Sequence, residues 1–538
     1  MEKESSLQKR NFMLFSKKIE EIKEPIGSAL AGILSYKKAG ESDNNISTKF
    51  FNENIKEVSK QDIENAQIFL EHFENQFKRL KIDLINEESF NETQKKTLLQ
   101  IINSNILKII LLKESVFIEA EKGGYRLSIA EKNERLQKIE KLETMIYGPK
   151  ISDQIKEKKI IMTYLDNLHK NNVDKLNPEE NQIFEGFLNK FSERNIIENK
   201  KNSEEQSEKI DSMGFCQILK KVFDIYNIKN KLVIIDNNRD TVSEENDIIY
   251  IPGSIDEKMR EKILEDNGLK DTMKITIDPK VSSISAGENK ISIPESYKNL
   301  SIKRICELID HEISTHILTN KNNKKTLNIK TDTYLELQEG VAVLNEKLAT
   351  EKMENLNINE PTIHHISTFI GENYNGEESK KILEIYYKML GDVDYAKKAN
   401  DRVMRIKRFH SFDLPGANRK DVVYRRGLAD VVLYINSLDK NSIEDRKKLQ
   451  ADIYKFYISK LGKNEITNAD KLIEGFDIDK GDVILPFALG KIIYEKLLGN
   501  NISNIDDIRF LASEHKLNYK QMKILLEIVQ LIKENQTK

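Results

Sequence analysis

Within the six residues His311-Glu312-Ile313-Ser314-Thr315-His316 stand two imidazoles and a carboxylate, in a chain of 538 residues that holds only eight histidines. Neutral imidazole is the commonest side-chain ligand for metals such as zinc, and a carboxylate beside the ion can take a proton from bound water. The chemistry indicated is metal-assisted hydrolysis, with His311 and His316 as ligands and Glu312 as base. The spacing sets a condition on the backbone. Histidines four apart lie about 40° apart around a regular helix, at roughly 100° per residue, whereas five apart gives about 140°, too wide for one ion. The segment must therefore carry a π-type turn, whose i to i+5 bonds bring positions five apart back to one face.

Catalytic zinc usually has three protein ligands and one open position. The next helical stretch, residues 334–346, reads YLELQEGVAVLNE and offers Glu336, Glu339 and Glu346 as the third. Glu339 is preferred because Gly340 and Ala342 leave room for two helices to approach closely. Glu336 and Glu346 lie on nearly the same face and remain rivals.

These residues resemble the HExxxH tyrosine carboxypeptidases, which remove the C-terminal tyrosine of α-tubulin, and their bacterial relatives with a QEGLA motif. HEISTH fits HExxxH, and residues 338–342, QEGVA, fit QEGLA with Val341 in place of Leu. Residues 405–427, RIKRFHSFDLPGANRKDVVYRRG, are similar to the family's KRG…G-x-x-KD-x-x-Y-x-x-G block through Lys407, Arg408, Gly416, Lys420, Asp421, Tyr424 and Gly427. Phe409 stands where that pattern has glycine, and Asn418-Arg419 where it has aromatic residues, two departures that bear on the pocket and its specificity. The resemblance spans roughly residues 210–500. It implies a zincin-like metallopeptidase domain with His311, His316 and Glu339 holding Zn²⁺ and Glu312 as catalytic glutamate. It does not carry the tubulin substrate to this chain, whose long helical module shows no basic stripe for microtubules.

The elements that must position these groups follow from the rest of the chain. So long a chain exceeds one hydrophobic core, so two or more domains are expected. Apolar positions three and four apart predict helices over 54–81, 93–122, 127–146, 151–171 and 179–193, with 93–122 apolar most of the way round as the centre of a bundle. His72 and His169 are isolated there and read as ordinary helix residues. The polar run 196–209 marks a linker, giving an all-α module over 1–205 and a catalytic domain over 206–538. Short β-branched runs at 231–236, 247–251, 274–277 and 290–293 predict a small sheet before HEISTH. The run 290–293, ending at Pro294, is the candidate edge strand for an extended substrate. Beyond Glu339, helices are expected at 379–390, 396–409, 421–437, 443–461, 486–498, 504–515 and 518–534. The fold class is α+β, mostly helical, with the small sheet in the catalytic half.

Composition narrows the function. A formal net charge of −2 gives no electrostatic case for nucleic acid or an anionic membrane. The apolar patch 26–34 is too short for a membrane span and lacks the pattern of an export signal. Only Cys216 and Cys306 are present, neither in a CxxC pair, so a reducing, cytoplasmic setting is expected. Against that balance, eight Lys and Arg residues fall within 402–426. An enzyme that recognises a terminal carboxylate needs such a cluster, since Arg grips a carboxylate by a two-point fork. Arg405, Lys407, Arg408, Lys420 and Arg425 are assigned to substrate binding, and Tyr424 or a nearby Arg to the developing oxyanion. The adjacent pair His364-His365 diverges and is set aside as a metal site. The expectation is a zinc carboxypeptidase acting on a peptide or protein C-terminus, with a protein partner as the role open to the N-terminal helices. The alternative is a non-enzymatic regulator or scaffold with a structural or vestigial metal site.

Overall fold

A computed structural model describes residues 2–23, 58–191, 209–226, 361–437 and 442–474 continuously, 232–350 apart from short stretches, and scattered positions from 476 to 531. The helices expected at 486–498 and 504–515, the patch 26–34 and most of the polar run 196–209 lie outside the described residues.

The sheet that precedes HEISTH is mixed and six-stranded, in the order β3-β4-β2-β5-β7-β6. β2 (Leu232–Asp236), β4 (Ile248–Pro252), β5 (Lys274–Asp278) and β7 (Lys290–Pro294) are its four longer strands and run parallel. β3 (Ser243–Glu245) and β6 (Ser285–Ala286) close the two edges antiparallel. A parallel strand covered on both faces needs apolar residues at every position, and Ile248 to Pro252 of β4 are all buried. Ile235, Ile249 and Ile251 pack with Leu264 on one face. The register places Ile275 beside Ile291 and Ser292 beside Ser285. A separate ribbon pairs β1 (Lys209–Ile210) with β8 (Leu300–Ser301), just ahead of the helical stretch that carries the histidines. The α+β class is borne out. The edge assignment is not: β7 is covered by β6, which itself packs against the HEISTH segment.

The N-terminal helices form Lys60–Ile85, Glu92–Lys122, Ile129–Tyr147, Ile155–Asn172 and Pro178–Phe191, close to the predicted spans. Ser59, Asn91 and Ser128 each start a helix with a reciprocal capping box, so the first-turn N–H groups are satisfied locally. Leu98, Ile102, Ile109 and Leu112 are buried in the central helix. These helices share a core with a later segment: Ile161, Leu165, Phe184 and Phe187 pack with Ile366, Phe369 and Leu383. The chain accordingly folds as two units, one of Met1–Met13, Ser203–Leu356 and Gly427–Lys538, the other of Leu14–Asn202 and Asn357–Arg426. Residues 357–426, placed by the sequence with the catalytic half, thus pack with the N-terminal helices, because Ile366 and Phe369 complete a core that those helices leave open. No described helix is long and apolar enough to cross a membrane.

Candidate metal centre and the basic segment

HEISTH lies in a π-helix, Ile309–Ile317, between α-helices Ile302–Leu308 and Leu318–Lys325. The wider turn does what the five-residue spacing demanded: the His311 and His316 rings stand 5.1 Å apart between centroids. Side chains behind the turn hold it open. Thr315 Oγ1 donates to the Asp310 carbonyl at 3.0 Å, an i to i−5 contact, and Asn345 Nδ2 donates to both Thr315 Oγ1 (2.7 Å) and the Tyr457 hydroxyl oxygen (2.9 Å). Ser314 Oγ donates to Asp310 Oδ1 at 3.0 Å and lies 3.0 Å from the Tyr226 hydroxyl. These groups are deeply buried, so the network fixes one backbone arrangement.

The third member comes from helix Tyr334–Thr350. Glu339 Oε2 lies 3.8 Å from His311 Nε2 and 3.5 Å from His316 Nε2. One ligand atom from each of the three residues falls within 4.8 Å of the others, a set able to hold a metal ion. Glu339 reaches this point because Gly340, the next residue, lets the helix touch the backbone of Gly427 in helix Val423–Asn436. A Cβ on Gly340 would meet the Gly427 carbonyl carbon at 2.2 Å, and one on Gly427 would meet the Glu336 oxygen at 1.8 Å. Of the two rivals, Glu336 is not in the group, and Glu346 takes the opposite nitrogen of His311: Oε2 accepts from Nδ1 at 2.7 Å.

The electrostatics of this cluster are strongly coupled. Burial alone would lower the pKa of His311, but the hydrogen bond to Glu346 and the charges of Glu312, Glu346 and Glu339 push it up to about 9. Burial would raise Glu346, yet His311 and Arg304 hold it down to about 2. Glu312, buried beside the histidines, is pushed up by burial and by Glu339 and Glu346, against the pull of His311 and His316.

The basic segment belongs to the other unit, where most of its charges have internal partners. Arg405 forks onto Asp421 through Nε (2.6 Å) and one terminal nitrogen (2.9 Å). Lys407 is buried, its Nζ donating to the carbonyls of Gly371, Tyr374, Leu414 and Gly416 at 2.7 to 3.1 Å. Three ammonium protons facing four carbonyls leave none for a substrate. Arg408 and Arg425 are buried, Arg425 with Nε 3.6 Å from Glu157, while Lys420 is half-buried in a 3₁₀ turn. Tyr424 stacks on His364 at 4.7 Å, and Arg402 bonds the same imidazole at 2.7 Å. Burial, with Arg402 adding to it, pushes His364 down to about 4, and burial with Arg425 and Arg426 pushes His365 down to about 3. Phe409, at the position of the pattern's glycine, has φ +69°, a left-handed conformation that glycine adopts without steric cost.

Sequence reasoning missed Glu346 in its role on His311 and the network Asp310, Ser314, Thr315, Asn345, Tyr457. Glu346 alone has a signal there, since it lies seven residues, two turns, beyond Glu339 and so on the same face of one helix.

No curated protein and no solved structure matches the chain. A family model described as microtubule-associated tyrosine carboxypeptidase matches residues 227–452, which contain the π-helix, the Glu339 helix and the basic segment. Over residues 227–452 this chain is similar to the microtubule-associated tyrosine carboxypeptidase family.

Proposed function

We propose that the protein is a zinc-dependent carboxypeptidase that removes one residue from the C-terminus of a peptide or protein. The observation that carries this reading is the convergence of His311, His316 and Glu339 across a π-turn, inside the segment that matches the family. Two imidazoles and a carboxylate are the donor set of catalytic rather than structural zinc. Zinc bound there would acidify a water molecule and polarise the scissile carbonyl.

The chain's own residues do the rest. Glu312 accepts a proton from the attacking water and delivers it to the leaving amine. An extended substrate is proposed to add a strand at the outer edge of β6, which packs against the π-helix.

The test uses full-length protein, stripped of metal and reloaded with zinc, and peptides that differ in their last residue. Mass spectrometry should find loss of a single C-terminal residue, dependent on zinc, and His316→Ala should bind no zinc. Zinc-loaded protein that cleaves no peptide would return the site to the structural or regulatory reading, and internal cleavage would rule out a carboxypeptidase.

A further inference from the structure

The two nitrogens of His311 are divided between two carboxylates of one helix. Nε2 faces Glu339, and Nδ1 bonds Glu346 at 2.7 Å. A carboxylate only accepts, so Nδ1 must carry the proton and Nε2 is left with the lone pair that a metal needs. Glu346 is itself restrained. Its other oxygen takes a terminal nitrogen of Arg304, that same nitrogen reaches Glu307 at 3.1 Å, and Glu307 accepts from Thr350 Oγ1 at 3.2 Å. The chain of contacts therefore ties helix Ile302–Leu308, which leads into the π-helix, to the helix that supplies Glu339.

Resting on the zinc reading above, we infer that Glu346, held by Arg304, is a positioning residue that fixes the ring and tautomer of His311 for metal binding. A wider π-turn makes such a tether useful, because a regular helix would aim the two imidazoles apart and the turn alone leaves the His311 ring free to rotate about its side-chain bonds. The distance of 2.7 Å and the two-sided grip of Arg304 and His311 on one carboxylate remove that freedom. Outer partners of this kind typically account for about 10- to 100-fold in metal affinity.

The experiment measures zinc affinity of the full-length protein by competition with a chromophoric chelator, for wild type, Glu346→Ala, Glu346→Gln and Arg304→Met. Glu346→Ala is expected to bind zinc about 10- to 100-fold more weakly. Glu346→Gln, whose amide oxygen can still accept from Nδ1, should lose less. Arg304→Met should lose some affinity while leaving Glu346 in place. Thermal melting of the metal-free variants checks that the fold is retained. Histidine-selective ¹⁵N spectra, with the His311 signal identified by its absence in His311→Ala, should show a protonated Nδ1 in wild type and lose that signature in Glu346→Ala. If wild type binds no zinc, the metal reading fails and this inference falls with it. If wild type binds zinc and Glu346→Ala binds it equally tightly with the same tautomer, the inference alone is overturned.

Discussion

At the scale of single residues, the sharpest separation lies between Glu312 and its neighbours. Glu312 adjoins His311 in sequence yet stands outside the three-residue cluster, so binding and catalysis should come apart when it is changed. Replacing Glu312 with Gln keeps volume and polarity and removes the base; zinc content should be unchanged while turnover of a cleaved peptide falls by about 10²- to 10⁴-fold. Loss of zinc in that variant would instead make Glu312 a ligand. Phe409 poses a different question, because a bulky residue occupies a conformation at φ +69° that favours glycine, with its N–H donating to Glu119 Oε1 at 2.8 Å. Strain there costs about 1 to 3 kcal/mol, but the ring is fully buried, and emptying such a site costs about 3 to 5 kcal/mol. Burial wins, so Phe409→Gly should lower stability by about 2 kcal/mol in urea unfolding, despite restoring the family's residue. An increase in stability would show that strain dominates.

At the scale of elements, the ligand geometry depends on two helices meeting backbone to backbone. Gly340→Ala would push a methyl into the Gly427 carbonyl, and since helix Tyr334–Thr350 must then withdraw, Glu339 withdraws with it. The expected outcome is a loss of stability of about 1 to 3 kcal/mol or more by thermal unfolding, with weaker zinc binding by chelator competition. A variant with native affinity would show that the contact does not set the ligand position. Much of this geometry is legible in the sequence. The five-residue spacing of His311 and His316 requires a wide turn, and Gly340 beside Glu339 points to close packing. Helical periodicity locates the N-terminal bundle to within a few residues. Three features are not legible there. β6 is two residues long and carries no periodic signal, so β7 reads as the edge. Lys407 looks like a ligand for a substrate carboxylate, and only the fold brings four carbonyls around it. Residues 357–426 follow the ligand helix in sequence, but their partners, Phe184 and Phe187 among them, lie some two hundred positions earlier.

At the scale of the molecule, the two units carry buried histidines shifted in opposite directions, and pH should act on them with opposite sign. In the unit of residues 14–202 and 357–426, His364 and His365 have folded pKa values of about 4 and about 3, below the unfolded value of 6.5. Their neutral forms are favoured by folding, so the unfolded chain takes up protons first and stability falls as pH drops below about 6.5. Glu372, pushed up to about 7 by burial, works the other way between its unfolded value and pH 7, one group against two. In the other unit, without metal, His311 is raised to about 9 by Glu346 and its neighbours. Its contribution is fully present below 6.5 and is lost as pH rises through about 9, and the raised pKa of Glu312 acts in the same direction. A tenfold change in proton affinity corresponds to about 1.4 kcal/mol, so stability changes of about 2 to 4 kcal/mol are expected in each half of the molecule across these pH windows. Hydrogen exchange on metal-free protein, corrected for intrinsic rates, should show helix Ile363–Asn373 opening more readily at pH 5 than at pH 7, and the π-helix Ile309–Ile317 opening more readily at pH 9. His365→Gln should reduce the acid response of the first without moving the alkaline response of the second. If both segments respond to pH with the same sign, the assignment of the charged and neutral imidazoles in the two units is wrong.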